Sequence, residues 1–353
     1  MAESSGYDTM TYNRCGRSGL KLPALSLGGW QTVGGYEDAG VARTVFRRAF
    51  ELGITHFDFA NNYGRVPGSG ELEGGKILRE LPRDEIVVST KAGYLMWPGP
   101  YGEWGSRKYL IASCDQSLER LGMKYVDIFY SHRFDPETPL EETLGALDTI
   151  VRSGRALYAG ISNYSGAQTQ RAAEICRRNG WTRLLIHQPK YNMLHRDLEK
   201  DLLPVVRRLG LGMIVFSPLA QGLLSGKYLD GVPTESRAGQ TRMPWQLATG
   251  DAATLEKVRR LNDLARERGE SLSRMALAWC RRLPEVTSVL TAVSSVAQLE
   301  DGVKALSSAP FSAAELRRID AILGASRTQA AAGPRTVART KASSKAKKAP
   351  RRR

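Results

Sequence analysis

Ile54-Thr55-His56-Phe57-Asp58, Ile86-Val87-Val88-Ser89-Thr90-Lys91 and Val126-Asp127-Ile128-Phe129-Tyr130-Ser131-His132 decide the fold. Each is a short apolar run, rich in β-formers, that ends in a polar side chain, and Tyr63 follows just past the first. Runs of this length and composition are expected for strands buried on both faces. Asp58, Tyr63, Lys91 and His132 therefore fall where four successive buried strands should end. Chemistry collected at the carboxyl ends of parallel strands marks a (β/α)8 barrel enzyme.

Outward from these runs the chain keeps alternating. Further strand-like stretches lie at 24–28, 156–161, 184–188, 212–216 and 287–290, giving eight with the three above. Helical patterns fall between them at 42–52, 110–121, 140–153, 167–179, 198–209, 255–268 and 296–306. In the first, Val45, Phe46, Ala49 and Phe50 recur at helical spacing. The count is that of a closed α/β TIM barrel, with a doubly wound sheet as the alternative. A last helix at 313–323 should pack across the barrel. Gly16, Gly19 and Pro23 break the 12–27 stretch into short extended pieces, predicting an N-terminal β-hairpin or plug. Two insertions, 93–106 and 226–250, follow strands on the side where barrel loops bind ligands. The expected organisation is a loose N-terminus over 1–9, a barrel over 10–325 and a disordered tail over 326–353.

That tail makes the net charge of +15 misleading. Ten of the 51 Lys and Arg lie between Arg327 and Arg353, with no acid among them; the remaining 41 face 36 Asp and Glu, so the body is near +5. The tail has too little apolar surface to fold. A solvated extension is the preferred reading, with weak, salt-dependent nucleic-acid contact as the sharper one. It carries no interleaved aromatics for base stacking, which argues against sequence-specific readout. No apolar run reaches the roughly 18 residues of a membrane span, and no secretion signal is evident at the start. Cys15, Cys114, Cys176 and Cys280 are scattered and form no metal-ligand cluster, as expected of thiols in a reducing cytoplasm.

A carboxylate, a phenol, an amine and an imidazole at neighbouring strand ends make a proton-transfer site. Lys91, if buried, needs a counter-charge that Asp58 can supply. A cation beside Tyr63 is expected to lower its pKa and ready it as an acid for a carbonyl oxygen. His132 can hydrogen-bond the same oxygen. Such a set suits carbonyl reduction if hydride is delivered, and no side chain delivers hydride, so a nicotinamide is implied. Ser162, Asn163 and Gln188 offer partners for a carboxamide, and Phe216 offers a face for the ring. No G-x-G-x-x-G follows a strand and no Walker A loop is present, so binding must take a non-Rossmann route.

Asp58-x4-Tyr63, Lys91, His132, Ser162-Asn163, Gln188 and the stretch Phe216-Ser217-Pro218-Leu219-Ala220-Gln221-Gly222 to Tyr228 together resemble an aldo-keto reductase, over roughly 10–325. The branch it resembles also includes, more distantly, voltage-gated potassium channel β subunits. The resemblance implies a barrel that binds NADPH, with NADH as a second option, and Tyr63 as general acid supported by Asp58, Lys91 and His132. It places Trp30, Asp58, Ser162, Asn163 and Gln188 around the nicotinamide ribose and carboxamide, with Phe216 stacked on the ring. Ser217, Leu219, Ala220, Gly222, Lys227 and Arg237 approach the pyrophosphate, and Ser294 and Gln298 the adenosine 2′-phosphate. Ala292, Ser295 and Asp301-Gly302 depart from the family's usual residues, and losing a base there should weaken preference for NADPH. Trp30, Tyr63, Trp97, Tyr101, His132 and Arg133 are the candidate substrate contacts. The substrates implied are small aldehydes, glyceraldehyde 3-phosphate and methylglyoxal, with methylglyoxal detoxification as a role. The alternative is a nicotinamide-binding, redox-sensing subunit with slow turnover. A homo-oligomer is compatible with either.

Each residue has a plainer role. Trp97, Tyr101 and Trp104 can simply pack a long loop. Arg133 can pair with Asp135 instead of a substrate phosphate. His56, His187 and His195 read as structural.

Overall fold

The computed structural model describes residues 6–234, 236, 239 and 251–324. The tail, Arg237 and most of the 226–250 insertion lie outside the described residues.

Eight parallel strands close into a barrel. In chain order they are β3 (Leu25–Gly28), β4 (His56–Asp58), β5 (Val87–Ala92), β6 (Val126–Ser131), β7 (Ala156–Ser162), β8 (Leu184–Gln188), β9 (Gly212–Val215) and β10 (Val286–Thr291), with β10 returning to pair with β3. The doubly wound alternative is thereby set aside. The antiparallel hairpin of β1 (Tyr12–Arg14) and β2 (Lys21–Pro23) precedes the barrel. Cys15 and Leu22 of this hairpin join Ile128, Tyr130, Leu185, Ile186 and Ile214 in the cluster that fills the barrel interior. A Cβ on Gly212 would sit 2.2 Å from Cys15 Sγ, so β9 needs glycine to let the plug seat. Ahead of it Gly6–Thr9, expected within a loose segment, forms one helical turn, α1.

Alternation within each strand sorts the side chains. Ile128 and Tyr130 point into the barrel, whereas Phe129 joins the outer core between sheet and helices. The same alternation puts His56 with Asp58, and Ser89 with Lys91, on the inner side.

The outer layer is α2 (Ala39–Glu51), α3 (Ser69–Leu78), α4 (Arg107–Leu121), α5 (Leu140–Arg152), α6 (Gly166–Arg178), α7 (Leu202–Leu209), α8 (Ala252–Glu267), α9 (Leu272–Arg281), α10 (Val296–Val303) and α11 (Ala313–Leu323). Two of these, α3 and α9, were not expected from the sequence. In α3 the glycines that weaken helix propensity allow close approach. A methyl at Gly74 would lie 2.2 Å from the Phe59 ring, and one at Gly75 would lie 2.5 Å from the Leu121 carbonyl oxygen. Gly74→Ala should therefore destabilise the fold by about 1–3 kcal/mol through overpacking, read as a fall in the urea midpoint; a gain, as its better helix propensity alone would give, would refute this. In α9, Met275 through Cys280 are all buried, a six-residue apolar run whose length fits a buried strand as well as a helix.

Glu71 anchors α3 to the barrel. It is buried, accepts from Thr90 Oγ1 at 2.5 Å on the outer side of β5, and pairs with Arg120 Nε of α4 at 2.7 Å.

Candidate active site

Three strands, not four, supply the quartet. Asp58 is the last residue of β4, and Tyr63 lies five positions on in the following loop; Lys91 is in β5, and His132 follows β6. Tyr63 N donates to Ala60 O at 3.1 Å, and Gly70 N donates to Tyr63 O at 2.9 Å, so the loop is tied both to itself and to α3.

Lys91 is wholly buried. Its Nζ donates to Asp58 Oδ2 at 2.5 Å, to the Phe59 carbonyl at 2.6 Å and to Tyr63 Oη at 3.4 Å. Three donors with three acceptors leave no ammonium hydrogen unmatched. Asp58 is equally buried and equally well supplied: Ser89 Oγ donates to Oδ1 at 2.5 Å and Gln188 Nε2 at 3.2 Å. This saturation allows an ion pair to persist without water. Ser89 and the Phe59 carbonyl were not foreseen as parts of the site. Ser89 was findable, because it stands two residues before Lys91 on the same face of a strand.

The effect of Lys91 on Tyr63 differs from expectation. The Tyr63 hydroxyl is pushed well above the usual tyrosine value, first by burial and then by the Asp58 carboxylate and Tyr94. The ammonium is itself held down from its normal value by burial, with Asp58 and Glu71 opposing. Its charge faces Asp58 more closely than the phenol, so desolvation prevails. Tyr63 is consequently a protonated group, placed to donate. His132 is neutral: burial, then Lys91 and Arg133, depress its pKa well below that of a free imidazole. Its ring meets Tyr63 edge-on at 6.0 Å and Tyr94 at 4.7 Å, and its Nδ1 is buried with no hydrogen-bond partner. Trp30, just past β3, lies 4.8 Å from the Tyr63 ring.

The other strand ends converge beside this quartet. Ser162 Oγ donates to the Gln188 carbonyl at 2.8 Å, and Asn163 Nδ2 donates to the His132 carbonyl at 3.0 Å. Asn163 takes a left-handed φ of 57°, unusual for a side-chain-bearing residue and of the kind found at functional sites. Phe216 follows β9 and bridges to Lys190. Ser217, Ala220, Gln221 and Gly222 then all have positive φ, so the chain turns sharply there. Lys227 packs against Gly222, which would hold its Cε 2.9 Å from a Cβ. Ser294 and Gln298 engage each other, with Ser294 N donating to Gln298 Oε1 at 3.1 Å. Asp301 pairs with Arg274 at 2.5 Å.

The 93–106 insertion holds itself together. Met96 N bonds Gly102 O, and Trp104 N bonds Gly93 O. Trp97 packs on the Tyr109 ring at 5.4 Å, Tyr101 is exposed, and Arg133 lies 3.6 Å from the Trp104 ring centre. Arg133 does not pair with Asp135. Its Nε donates to Gly93 O at 2.9 Å and its Nη2 pairs with Glu103. Asp135 is already occupied by the amides of Gly105, Glu137 and Thr138.

Among the described residues no metal-ligand cluster occurs and no helix is long and apolar enough to cross a membrane. Residues 24–324 match the family described as Aldo/keto reductase. The chain is 52% identical over 328 residues to L-glyceraldehyde 3-phosphate reductase of Escherichia coli strain K12, covering 91% of this chain and 94% of that one. It is 37% identical over 310 residues to an Arabidopsis thaliana protein named probable voltage-gated potassium channel subunit beta, covering 86% and 93%.

Proposed function

The chain belongs to the aldo/keto reductase family and is an oxidoreductase, and from that premise we propose that it reduces small aldehydes to alcohols at the Tyr63 hydroxyl. The observation that carries this reading is the buried Lys91–Asp58 pair at 2.5 Å, set 3.4 Å from a phenol that burial keeps protonated. Tyr63 gives its proton to the carbonyl oxygen as charge develops there. Lys91 stabilises the resulting tyrosinate, and neutral His132 orients the oxygen. The 52% relative makes L-glyceraldehyde 3-phosphate the first candidate substrate; methylglyoxal is the second, and a detoxifying role in the cytoplasm accords with both.

The chain's residues fit a nicotinamide dinucleotide. Asn163, Gln188 and Ser162 form a polar corner beside Asp58 suited to a carboxamide and ribose, Phe216 offers a stacking face, and the 217–222 turn, left-handed at Ser217, Ala220, Gln221 and Gly222, suits phosphates together with Lys227. Bound there, the cofactor would supply the hydride. At the far end half-buried Ser294 and exposed Gln298 are uncharged, and Arg274 is engaged by Asp301. The 2′-phosphate thus gains little, and KM for NADPH and NADH should differ by less than about tenfold, or 1.4 kcal/mol.

The test is nicotinamide oxidation by the full chain with L-glyceraldehyde 3-phosphate and with methylglyoxal, using NADPH and NADH in turn. Rapid aldehyde-dependent oxidation supports the reading. Tight cofactor binding with negligible turnover would favour a sensing subunit, as the likeness to a channel β subunit allows. A NADPH preference of several hundredfold would overturn the account of the adenosine end.

A further inference from the structure

His56 has no part in the chemistry above, yet it is the middle of a continuous buried line. Ser288 Oγ and Ser26 Oγ are 2.6 Å apart, Ser26 Oγ and His56 Nδ1 2.9 Å, His56 Nε2 and Ser89 Oγ 3.0 Å, and Ser89 Oγ and Asp58 Oδ1 2.5 Å. All five residues are fully buried. They come from β10, β3, β4 and β5, which are consecutive neighbours around the barrel. The line therefore runs across the strands one step at a time and ends on the carboxylate that holds Lys91.

Its direction is dictated by that last acceptor. An ionised carboxylate has no proton to give, so Ser89 donates to it. Ser89 then accepts from His56 Nε2–H, which leaves Nδ1 bare and able to accept from Ser26, whose oxygen accepts in turn from Ser288. The three inner groups, Ser26, His56 and Ser89, each give one hydrogen bond and take one. A doubly protonated ring would leave the Ser26 hydroxyl hydrogen without its acceptor. Burial does keep the ring neutral, drawing its pKa down to about 4, with the opposed charges of Asp58 and Lys91 contributing less.

We propose that His56 is a positioning residue: acting through Ser89, it fixes the Asp58 carboxylate so that its second oxygen stays on Lys91 Nζ beside the Tyr63 hydroxyl. This rests on the reductase reading. Without the shorter donor on Oδ1 the carboxylate is held less firmly, and the ammonium it holds is less well fixed against the phenol. Gln188 alone, at 3.2 Å, is the longer of the two contacts on that oxygen.

The experiment compares His56→Leu, His56→Gln and Ser89→Ala with wild type in aldehyde reduction, thermal melting and NADPH binding. His56→Leu should lose about 10–100-fold in kcat, the scale of a small misplacement at a reacting centre, with KM and NADPH affinity unchanged. A Gln amide again offers one acceptor and one donor, so His56→Gln should recover most of kcat. Ser89→Ala, the smaller change, should repeat the loss and decides the matter if His56→Leu does not fold. Nitrogen-15 shifts of the His56 ring, read without any turnover, should report the neutral Nε2-protonated tautomer at pH 7. Unchanged kcat in folded His56→Leu or Ser89→Ala, losses that follow melting temperature with no recovery in Gln, or an Nδ1-protonated ring would each overturn the inference while leaving the reductase reading intact. An inactive wild type would overturn both.

Discussion

Replacing Tyr63 with Phe should lower kcat for aldehyde reduction by about 10²- to 10⁴-fold, the usual worth of a general acid, and leave NADPH affinity unchanged. That corresponds to roughly 3–5 kcal/mol of transition-state stabilisation. The size follows from how few other protons are available. Lys91 is committed to Asp58 and to the Phe59 carbonyl, and His132 is neutral with a much depressed pKa. Tyr63, by contrast, is protonated throughout the working range. Phe keeps the ring that packs 4.8 Å from Trp30, so the melting temperature should hardly move. Single-turnover measurement with cofactor pre-bound separates the chemical step from product release. Undiminished single-turnover reduction in the variant would transfer the acid role to another group.

The second large effect is on stability against acid. His56, His132 and His187 are buried and all have pKa values pulled below normal, to about 4 for His56 and about 3 for His187, chiefly by burial. A histidine whose folded pKa is depressed binds its proton in the unfolded chain first. Stability is therefore full above the unfolded value near 6.5 and is lost as pH falls below it. Each such group costs about 1.4 kcal/mol per pH unit, so His56 and His187 together remove about 4 kcal/mol by pH 5. His132 acts in the same direction. Against a typical total of about 5–15 kcal/mol this is a large share. Urea midpoints at pH 8, 6.5 and 5 should be nearly level over the first interval and fall steeply over the second. A midpoint at pH 5 equal to that at pH 8 would mean that these rings gain protons while folded.

The barrel was legible because buried parallel strands announce themselves as short β-rich runs, and all eight expected runs became barrel strands. The two helices that escaped notice did so for opposite reasons. α3 carries Gly70, Gly74 and Gly75, which weaken its helix propensity and are required by the close approach of Tyr63, Phe59 and Leu121. α9 carries the continuous apolar run 275–280, whose length fits a buried strand as well as a helix. At the site, residue types and strand positions were enough to bring Asp58, Tyr63, Lys91 and His132 together. The direction of the Tyr63 shift was not readable. It depends on the competition between a desolvation cost and an ammonium already engaged elsewhere, and neither quantity is written in the spacing. Arg133 shows the same limit: a nearby Asp135 looks available in sequence, but turn amides fill it, and the partner is Glu103 from the long insertion.

Because β10 closes against β3, the line that supports Asp58 joins serines 262 positions apart, Ser26 and Ser288. On a chain made at about 5–20 residues per second, that is an interval on the order of 10–50 s. During this time the hairpin plug and β3 have emerged without the strand that completes their sheet edge. An unpaired strand edge is a template for association with other chains. The same closure that leaves the finished barrel without an edge thus leaves its first strand with an unpaired side through most of the chain's synthesis.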